Sequence, residues 1–124
     1  MWKRYIVEIG TGLDLHGLDV TKAAKKAVKD AVSHSCLCGL SDIFGIKEPE
    51  DFSRRFKVDI KIAAPFPDQV DRQAVREELP LGQGQISVQQ GGLAAGGLHV
   101  DQFGEGDQIV VVNAALTVYI DTEE

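Results

Sequence analysis

The segment from residue 20 to residue 33 constrains the fold of this chain more than any other, because its apolar side chains are small and recur at helical spacing. Its apolar positions are Val20, Ala23, Ala24, Ala27, Val28, Ala31 and Val32. This spacing predicts a helix that ends near Ser33, and Asp19 is a suitable N-cap residue. A stripe of alanine and valine is narrow, which favours close packing of the helix on a β-sheet.

Four segments have the composition of β-strands. Residues 3–9 (KRYIVEI) are rich in β-branched and aromatic types, and glycines follow them. Residues 54–65 (RRFKVDIKIAAP) and 84–90 (GQISVQQ) alternate apolar and polar side chains, as half-buried strands do. Residues 107–121 (DQIVVVNAALTVYID) form the longest such segment and carry few polar side chains. We expect this last strand to be central in the sheet or covered on both faces.

A second, shorter helix is predicted over residues 68–79, with Asp68 or Asp71 as its cap and Pro80 as its limit. The order of elements is then β-α-β-α-β-β. We expect an α+β fold of two layers, a mixed sheet with both helices on one face, in a single domain over residues 1–124. The opposite face of the sheet needs cover, and in so short a chain the natural cover is another copy. We therefore expect a homo-oligomer.

The connection between the first helix and the second strand, residues 34–53, lacks periodicity, although its DIFGI segment could form a short turn of helix. It contains both cysteines of the chain, Cys36 and Cys38. A C-x-C pair is too closely spaced for an ordinary disulfide, and zinc sites prefer wider spacing and two further ligands. Two free thiols are the prediction.

Charge and hydropathy exclude several classes of function. The chain has 13 basic and 19 acidic residues, a net charge of −6 at pH 7, which argues against nucleic acid or an anionic membrane surface as a partner. Its apolar runs are shorter than the roughly 18 to 20 residues of a membrane span, and the apolar core of its first ten residues is too short for a secretory signal. We expect a cytoplasmic protein.

The stretch GTGLDLHG, residues Gly10 to Gly17, falls between the first strand and the first helix, so we expect it to connect them. Glycines in such a turn adopt positive φ and let a ligand approach the backbone. Gly10, Gly12 and Gly17 are therefore candidate ligand-binding residues. A phosphate loop is disfavoured, because the spacing matches neither the P-loop nor the dinucleotide-binding pattern and Asp14 would repel a phosphate.

Asp14 and His16 are the residues of this stretch that a turn alone does not require. Two positions apart in an extended segment, their side chains point the same way. Asp14 could orient His16 as a general base, or the two could bind a divalent metal with a third ligand such as His99 or Asp101. The alternative is structural: Asp14 caps the turn and His16 bonds to a backbone carbonyl.

The element order resembles the Bacillus-type chorismate mutase fold, which is trimeric with clefts between its subunits. Local phrases carry the likeness: PFPDQVDRQAVREEL, a strand that ends in QQ, a glycine pair and a last strand that reads ALTVYID. The resemblance implies the fold and a trimer. It does not imply mutase activity, because that family uses arginines on its first and last strands and a glutamate on its third. This chain offers Glu8, Asn113 and Gln90 there.

The fold also resembles the repeat unit of cyanuric acid hydrolase and barbiturase, in which a serine is paired with a lysine. Ser87 and Lys61 are the nearest equivalents in this chain. Gln90, Gly91 and Gly92 follow Ser87 and could supply ligand-binding groups, including backbone N–H donors. The alternative for Lys61 is a lysine that meets water or the rim of a subunit.

The stretch GTGLDLHG itself fits the pattern G-x-G-x-D-x-H-G, which is similar to the signature of a small family of bacterial and plant proteins without an assigned activity. The sequence thus predicts a small-molecule site at a subunit interface, built from Asp14 and His16 with help from residues 87–92. A hydrolase or lyase acting on a small polar metabolite is the more concrete hypothesis. The alternative is a non-catalytic protein that binds a metal or metabolite, or that only assembles.

Overall fold

A computed structural model describes residues 1–79, 81, 83–98, 102 and 108–124. Its elements follow one another as β1 (Trp2–Asp14), α1 (Val20–Ser33), α2 (Gly39–Asp42), α3 (Pro49–Arg55), β2 (Phe56–Ala64), a 3-10 turn (Pro67–Gln69), α4 (Arg72–Arg76), β3 (Ile86–Gln90), β4 (Leu93–Gly96) and β5 (Gln108–Asp121). The predicted α+β class with a mixed sheet is confirmed.

The five strands form one sheet in the order β1-β5-β2-β3, and β4 pairs with the beginning of β5. β5 is antiparallel to β1, β2 and β4, whereas β2 and β3 are parallel. The prediction that the last strand is central is therefore confirmed. At its middle, Asn113 lies opposite Thr11 on one side and Ala63 on the other.

The hydrophobic core lies between one face of this sheet and the helices. α1 begins as predicted, because the side chain of Asp19 accepts a hydrogen bond from the Lys22 backbone N–H at 3.0 Å. Its alanine and valine stripe is buried except for Val32. The core also includes alternate residues of β2 and β5, Leu40 of α2 and Val75 of α4. Helices and sheet thus form the two predicted layers.

β1 is longer than the sequence predicts and runs through Asp14, so the expectation that Gly10 to Gly17 form a connection is wrong for its first half. Gly10 and Gly12 are buried under α1. A Cβ atom on Gly10 would lie 2.2 Å from the Ala27 carbonyl oxygen, and one on Gly12 would lie 2.0 Å from that of Ala23. These glycines let the helix backbone approach the strand. They are not available to a ligand, which corrects their predicted role.

Three other regions of the chain differ from the prediction. β4 lies in the glycine-rich segment after β3, where pairing with β5 rather than local propensity stabilises it. The second helix is reduced to α4, with Asp71 as its cap through the Ala74 N–H at 3.1 Å. The 34–53 connection contains α2 and most of α3. α3 begins at Pro49, and a capping box stabilises its first turn.

We call the side of the sheet that faces away from α1 the outer face. Its β1 and β4 side chains are largely apolar and exposed, as in Val7, Ile9, Leu13 and Leu93. Its β2 and β3 side chains are largely polar: Lys57, Asp59, Lys61, Ser87 and Gln89. In the part of the chain that the structure describes, no helix packs on this face, so it is the surface that the sequence analysis expects a second copy to cover.

Among the described residues, no helix combines the length and the apolar character that a membrane span requires.

We expect Gly12→Ala to destabilise the protein, because the added methyl group would collide with the Ala23 carbonyl oxygen and push α1 off the sheet. Overpacking of this kind lowers the free energy of unfolding by about 1–3 kcal/mol. Gly96→Ala is the matched control, since a Cβ there meets nothing within 4 Å. Urea denaturation followed by circular dichroism measures both. Equal stability of the two variants would contradict the packing argument.

Candidate functional site

Asp14 is buried at the end of β1 and binds the turn that follows it. Its Oδ2 accepts hydrogen bonds from the backbone N–H groups of Gly17 (3.1 Å) and Asp19 (2.9 Å). Its Oδ1 lies 3.8 Å from the Nζ of Lys22. These are the contacts of a turn cap, and they join the end of β1 to the start of α1. They favour the structural interpretation of Asp14 over the one in which it orients His16.

The turn between Asp14 and α1 does not use its glycine as the sequence predicts. In this turn Leu18 has a positive φ of 52°, and Gly17 does not have a positive φ. A Cβ on Gly17 would lie 3.1 Å from Asp14 Oδ2, which is a tight contact with the end of a side chain. The Gly17 backbone N–H is bound to that carboxylate, which leaves no role for this group in binding a ligand.

A cleft of about 420 Å³ opens beside this turn. His16 borders it and is half-buried, and the exposed lysines Lys22 and Lys26 of α1 line it as well. Lys26 Nζ donates to the carbonyl oxygen of Leu13 at 3.1 Å. The carboxylates of Asp14 and Asp19 both accept backbone N–H groups here, so His16 is the side chain of the cleft best suited to proton transfer.

Among the residues that the structure describes, the predicted metal site has no third ligand. Within residues 1–79, 81, 83–98, 102 and 108–124, no group of three or more histidine, cysteine, aspartate or glutamate side chains is placed to hold a metal ion. His99 and Asp101, the proposed partners of Asp14 and His16, lie outside the described residues. A divalent metal at this turn therefore stays a prediction.

Lys61 and Ser87 are brought together by the sheet. They are register partners on the parallel strands β2 and β3, and both are exposed on the outer face. Neighbouring strands are about 4.8 Å apart, so the two side chains leave the sheet side by side. On β5 and β1, the Thr11 hydroxyl donates to the Asn113 Oδ1 at 3.1 Å. We call Thr11, Lys61, Ser87 and Asn113 the central polar group.

The segment after Ser87 forms the turn from β3 to β4. The Gly91 N–H donates to the Ala64 carbonyl oxygen at 3.1 Å, so it is not the backbone donor for a ligand that the sequence suggested. Gly92 has a φ of 66°, and a Cβ there would lie 2.0 Å from the Val111 carbonyl oxygen. Both glycines serve the turn. The side chain of Gln90 is exposed. Of the three predicted residues Gln90, Gly91 and Gly92, Gln90 is therefore the one whose side chain can contact a ligand.

The two parts of the predicted site do not meet within one chain. Asp14 lies on the helix side of β1, whereas Lys61 and Ser87 lie on the outer face of β2 and β3. β5 separates β1 from β2, so the strands that carry the two parts are at least about 10 Å apart. A site that combines them requires a second copy.

The sequence analysis missed an apolar cleft of about 470 Å³ beneath the 34–53 connection. Its lining residues in this part of the chain are Ser35, Cys36, Leu37, Cys38, Leu40 and Phe52. Both cysteines are free and exposed, which confirms the prediction of two thiols. The signal was present in the sequence: leucine and phenylalanine in a segment without periodicity need a surface to pack against.

α3, which forms one wall of this cleft, is held at its start by Asp51. The carboxylate accepts the backbone N–H groups of Glu48 (3.2 Å) and Lys47 (3.3 Å), and these hydrogen bonds lower the pKa of Asp51 below its usual value. Nearby Arg54 and Arg55 act in the same direction. The arrangement fixes the position of Phe52 over the cleft.

Comparison with known proteins places the chain in a family. The profile of the family described as "Conserved hypothetical protein (Lin0512_fam)" matches residues 4–118, which is most of the chain. The chain belongs to this family. The matched region contains both the turn at Asp14 and the central polar group, so these features lie within the part that defines Lin0512_fam.

A solved structure agrees with this assignment. It is a crystal structure of a FtsZ-like protein of unknown function from Nostoc punctiforme, 32% identical to this Lin0512_fam chain. The two superpose with a TM-score of 0.83, and the match covers 97% of each chain. Among curated proteins, none matches the chain. The comparisons thus establish the family and the fold.

We expect Asp14→Ala to lower the free energy of unfolding by about 1–3 kcal/mol, because two partly buried backbone N–H groups lose their acceptor. Asp14→Asn keeps an amide oxygen at the same place and should lose less. Asp68→Ala, at an exposed aspartate, is the control and should stay within about 0.5 kcal/mol of the parent. Urea denaturation gives all three values. Parent-like stability of Asp14→Ala would contradict the capping role.

Proposed function

We propose that this protein is a homo-oligomer that binds a small polar molecule where the outer face of one copy is covered by another. The observation that carries the proposal is the composition of that face. Exposed apolar side chains of β1 and β4, among them Ile9 (57% exposed) and Leu93 (58%), flank the central polar group. An apolar surface with polar groups at its centre is typical of a covered binding site.

Charge supports a second copy as the cover. The chain carries a net charge of −6, yet the charged residues of β2 on the outer face are Lys57, Asp59 and Lys61. This part of the face therefore has an excess of one positive charge and complements the acidic remainder of another copy. A contact between two different surfaces is heterologous, and it forms a closed ring when the rotation that relates the copies adds up to a full turn. The likeness to the Bacillus-type chorismate mutase fold favours a ring of three.

The reaction that this geometry supports best is hydrolysis of a small amide or ester. Ser87 supplies a hydroxyl, and Lys61 on the next strand supplies an amine beside it. The Lys61 amine takes up the proton of the Ser87 hydroxyl as the Ser87 oxygen attacks the carbonyl carbon. The leaving group then takes that proton, and water hydrolyses the acyl-serine.

A second candidate is a hydrolase or lyase in which His16 is the general base. Leu13 and Leu15 are both exposed and extend the apolar surface to the turn at Asp14, so a covering copy would border His16. Asp14 would then hold the turn that positions His16. The non-catalytic alternative, a protein that binds a metabolite or metal at the same interface, differs from both only in lacking turnover.

We expect the protein to be oligomeric and Ile9→Glu to dissociate it, because a carboxylate would be buried in the apolar part of the interface. Ile43→Glu is the matched control: Ile43 is 72% exposed and belongs to the α2 end, away from the outer face. Sedimentation velocity measures the mass of each variant, and circular dichroism verifies folding. A monomeric parent protein at all concentrations would refute the proposal.

We expect the protein to cleave p-nitrophenyl acetate, and Ser87→Ala to reduce the rate by about two orders of magnitude or more. Lys61→Met should cause a loss of similar size, since it keeps the aliphatic chain and removes the amine. Ser53→Ala, at an exposed serine of α3, should retain the parent rate. Rates that are equal in all four proteins would exclude the Ser87 mechanism and leave the binding role, which the sedimentation experiment tests separately.

A further inference from the structure

We propose that the apolar cleft beneath the 34–53 connection is a second binding site, and that it takes an apolar molecule bearing a protonated amine. This cleft lies on the helix side of the sheet, so it is separate from the outer face. Its volume of about 470 Å³ falls within the range of small-molecule sites, about 300–1,000 Å³.

The walls of the cleft come from elements that the fold holds firmly. Its floor is the sheet, through the buried side chains of Val58, Leu116 and Val118. Phe52 and Phe56 form one side and pack edge to face with their ring centroids 5.3 Å apart. A cavity bounded by a rigid sheet and a fixed aromatic pair keeps its shape when a ligand enters, which lowers the cost of binding.

The apolar walls determine one half of the ligand. Most of the lining consists of leucine, valine, phenylalanine and the two thiols, so the body of the molecule should be hydrocarbon or aromatic. Such a ligand removes apolar surface from water on both sides of the contact, which is the main favourable term in binding to sites of this kind.

The charged residues at the cleft determine the polar half of the ligand. Among the described lining residues those with a charge are Glu8 and Glu78, both acidic and both half-buried. Glu8 Oε2 accepts the Ser35 hydroxyl at 2.5 Å. Two carboxylates at the border of an apolar cleft repel an anionic ligand and favour a cation, since a partly desolvated charge is stabilised by an opposite one.

The chain itself places an ammonium at this position. Lys29 Nζ lies 3.7 Å from Glu78 Oε2, and the lysine side chain is 71% exposed. An exposed ion pair of this type contributes little to stability, so the lysine can yield its place to a ligand amine that also gains apolar contacts. The geometry of Glu78 therefore suits an ammonium that approaches from the cleft.

Two fluorescent probes of opposite charge test the proposal: dansylcadaverine, which ends in a primary amine, and dansyl-6-aminohexanoic acid, which ends in a carboxylate. We expect the amine to bind with a blue shift of dansyl emission, and the acid to bind at least about tenfold more weakly. Equal affinity of the two probes, or no binding of the amine, would overturn the proposal.

Three variants locate the binding. Glu78→Gln should weaken binding of dansylcadaverine by about threefold to tenfold, whereas Glu77→Gln, at a neighbouring carboxylate outside the lining, should leave it unchanged. Val32→Trp fills the cleft from the exposed surface of α1 and should abolish binding while circular dichroism remains that of the parent. Parent-like binding by Val32→Trp would place the probe elsewhere, for example on the outer face, and would refute the site.

Discussion

The close approach of α1 to β1 is the contact on which the rest of the structure depends. Gly10 and Gly12 present no side chain to the helix, and the helix presents alanine to them. Both surfaces are therefore smooth, and the two backbones pack at a distance that side chains elsewhere in the core prevent. This contact also sets the length of β1, because a strand covered by a helix on one face and paired with β5 remains extended up to Asp14.

The position of Asp14 follows from that contact. As the last residue of β1 on the helix side, it lies directly below the start of α1, where backbone N–H groups have no partner within the helix. Its carboxylate satisfies such a group and fixes the turn. The chemistry that the sequence attributes to GTGLDLHG is thus divided: the glycines and Asp14 build the fold, and His16 lines a cleft together with Lys22 and Lys26 of α1.

Much of the fold could be predicted from the sequence, because α1 and the alternating strand β2 carry strong periodic patterns. The rest could not, since it depends on contacts between distant residues. The β4 segment has little strand propensity and forms through pairing with β5. Gly10 and Gly12 look like the end of a strand in the sequence, and their role becomes visible only when α1 packs over them. A glycine that permits close packing and a glycine that permits a turn look the same in one sequence.

The candidate sites could also be predicted only in part, because they too depend on contacts between distant residues. The pairing of Lys61 with Ser87 follows from the parallel register of β2 and β3, and local sequence patterns do not contain that register. The leucine and phenylalanine of the 34–53 connection indicate that this segment packs on a surface, but the cleft itself could not be foreseen. Its walls come from six separated segments of the chain: β1, α1, the 34–53 connection, β2, the segment that follows α4, and β5. Side chains that are unremarkable within each segment form a cavity only after the segments pack together.

The central place of β5 has a consequence for how the protein folds during synthesis. β1, β2 and β4 all pair with β5, which follows them in the chain, so none of them completes its hydrogen bonds before residues 108–121 have left the ribosome. Until then β1 exposes both its edge and its apolar side chains, and α1 is the long element able to form from local contacts. The nascent chain therefore remains open to aggregation, and the antiparallel part of the sheet assembles late, around β5.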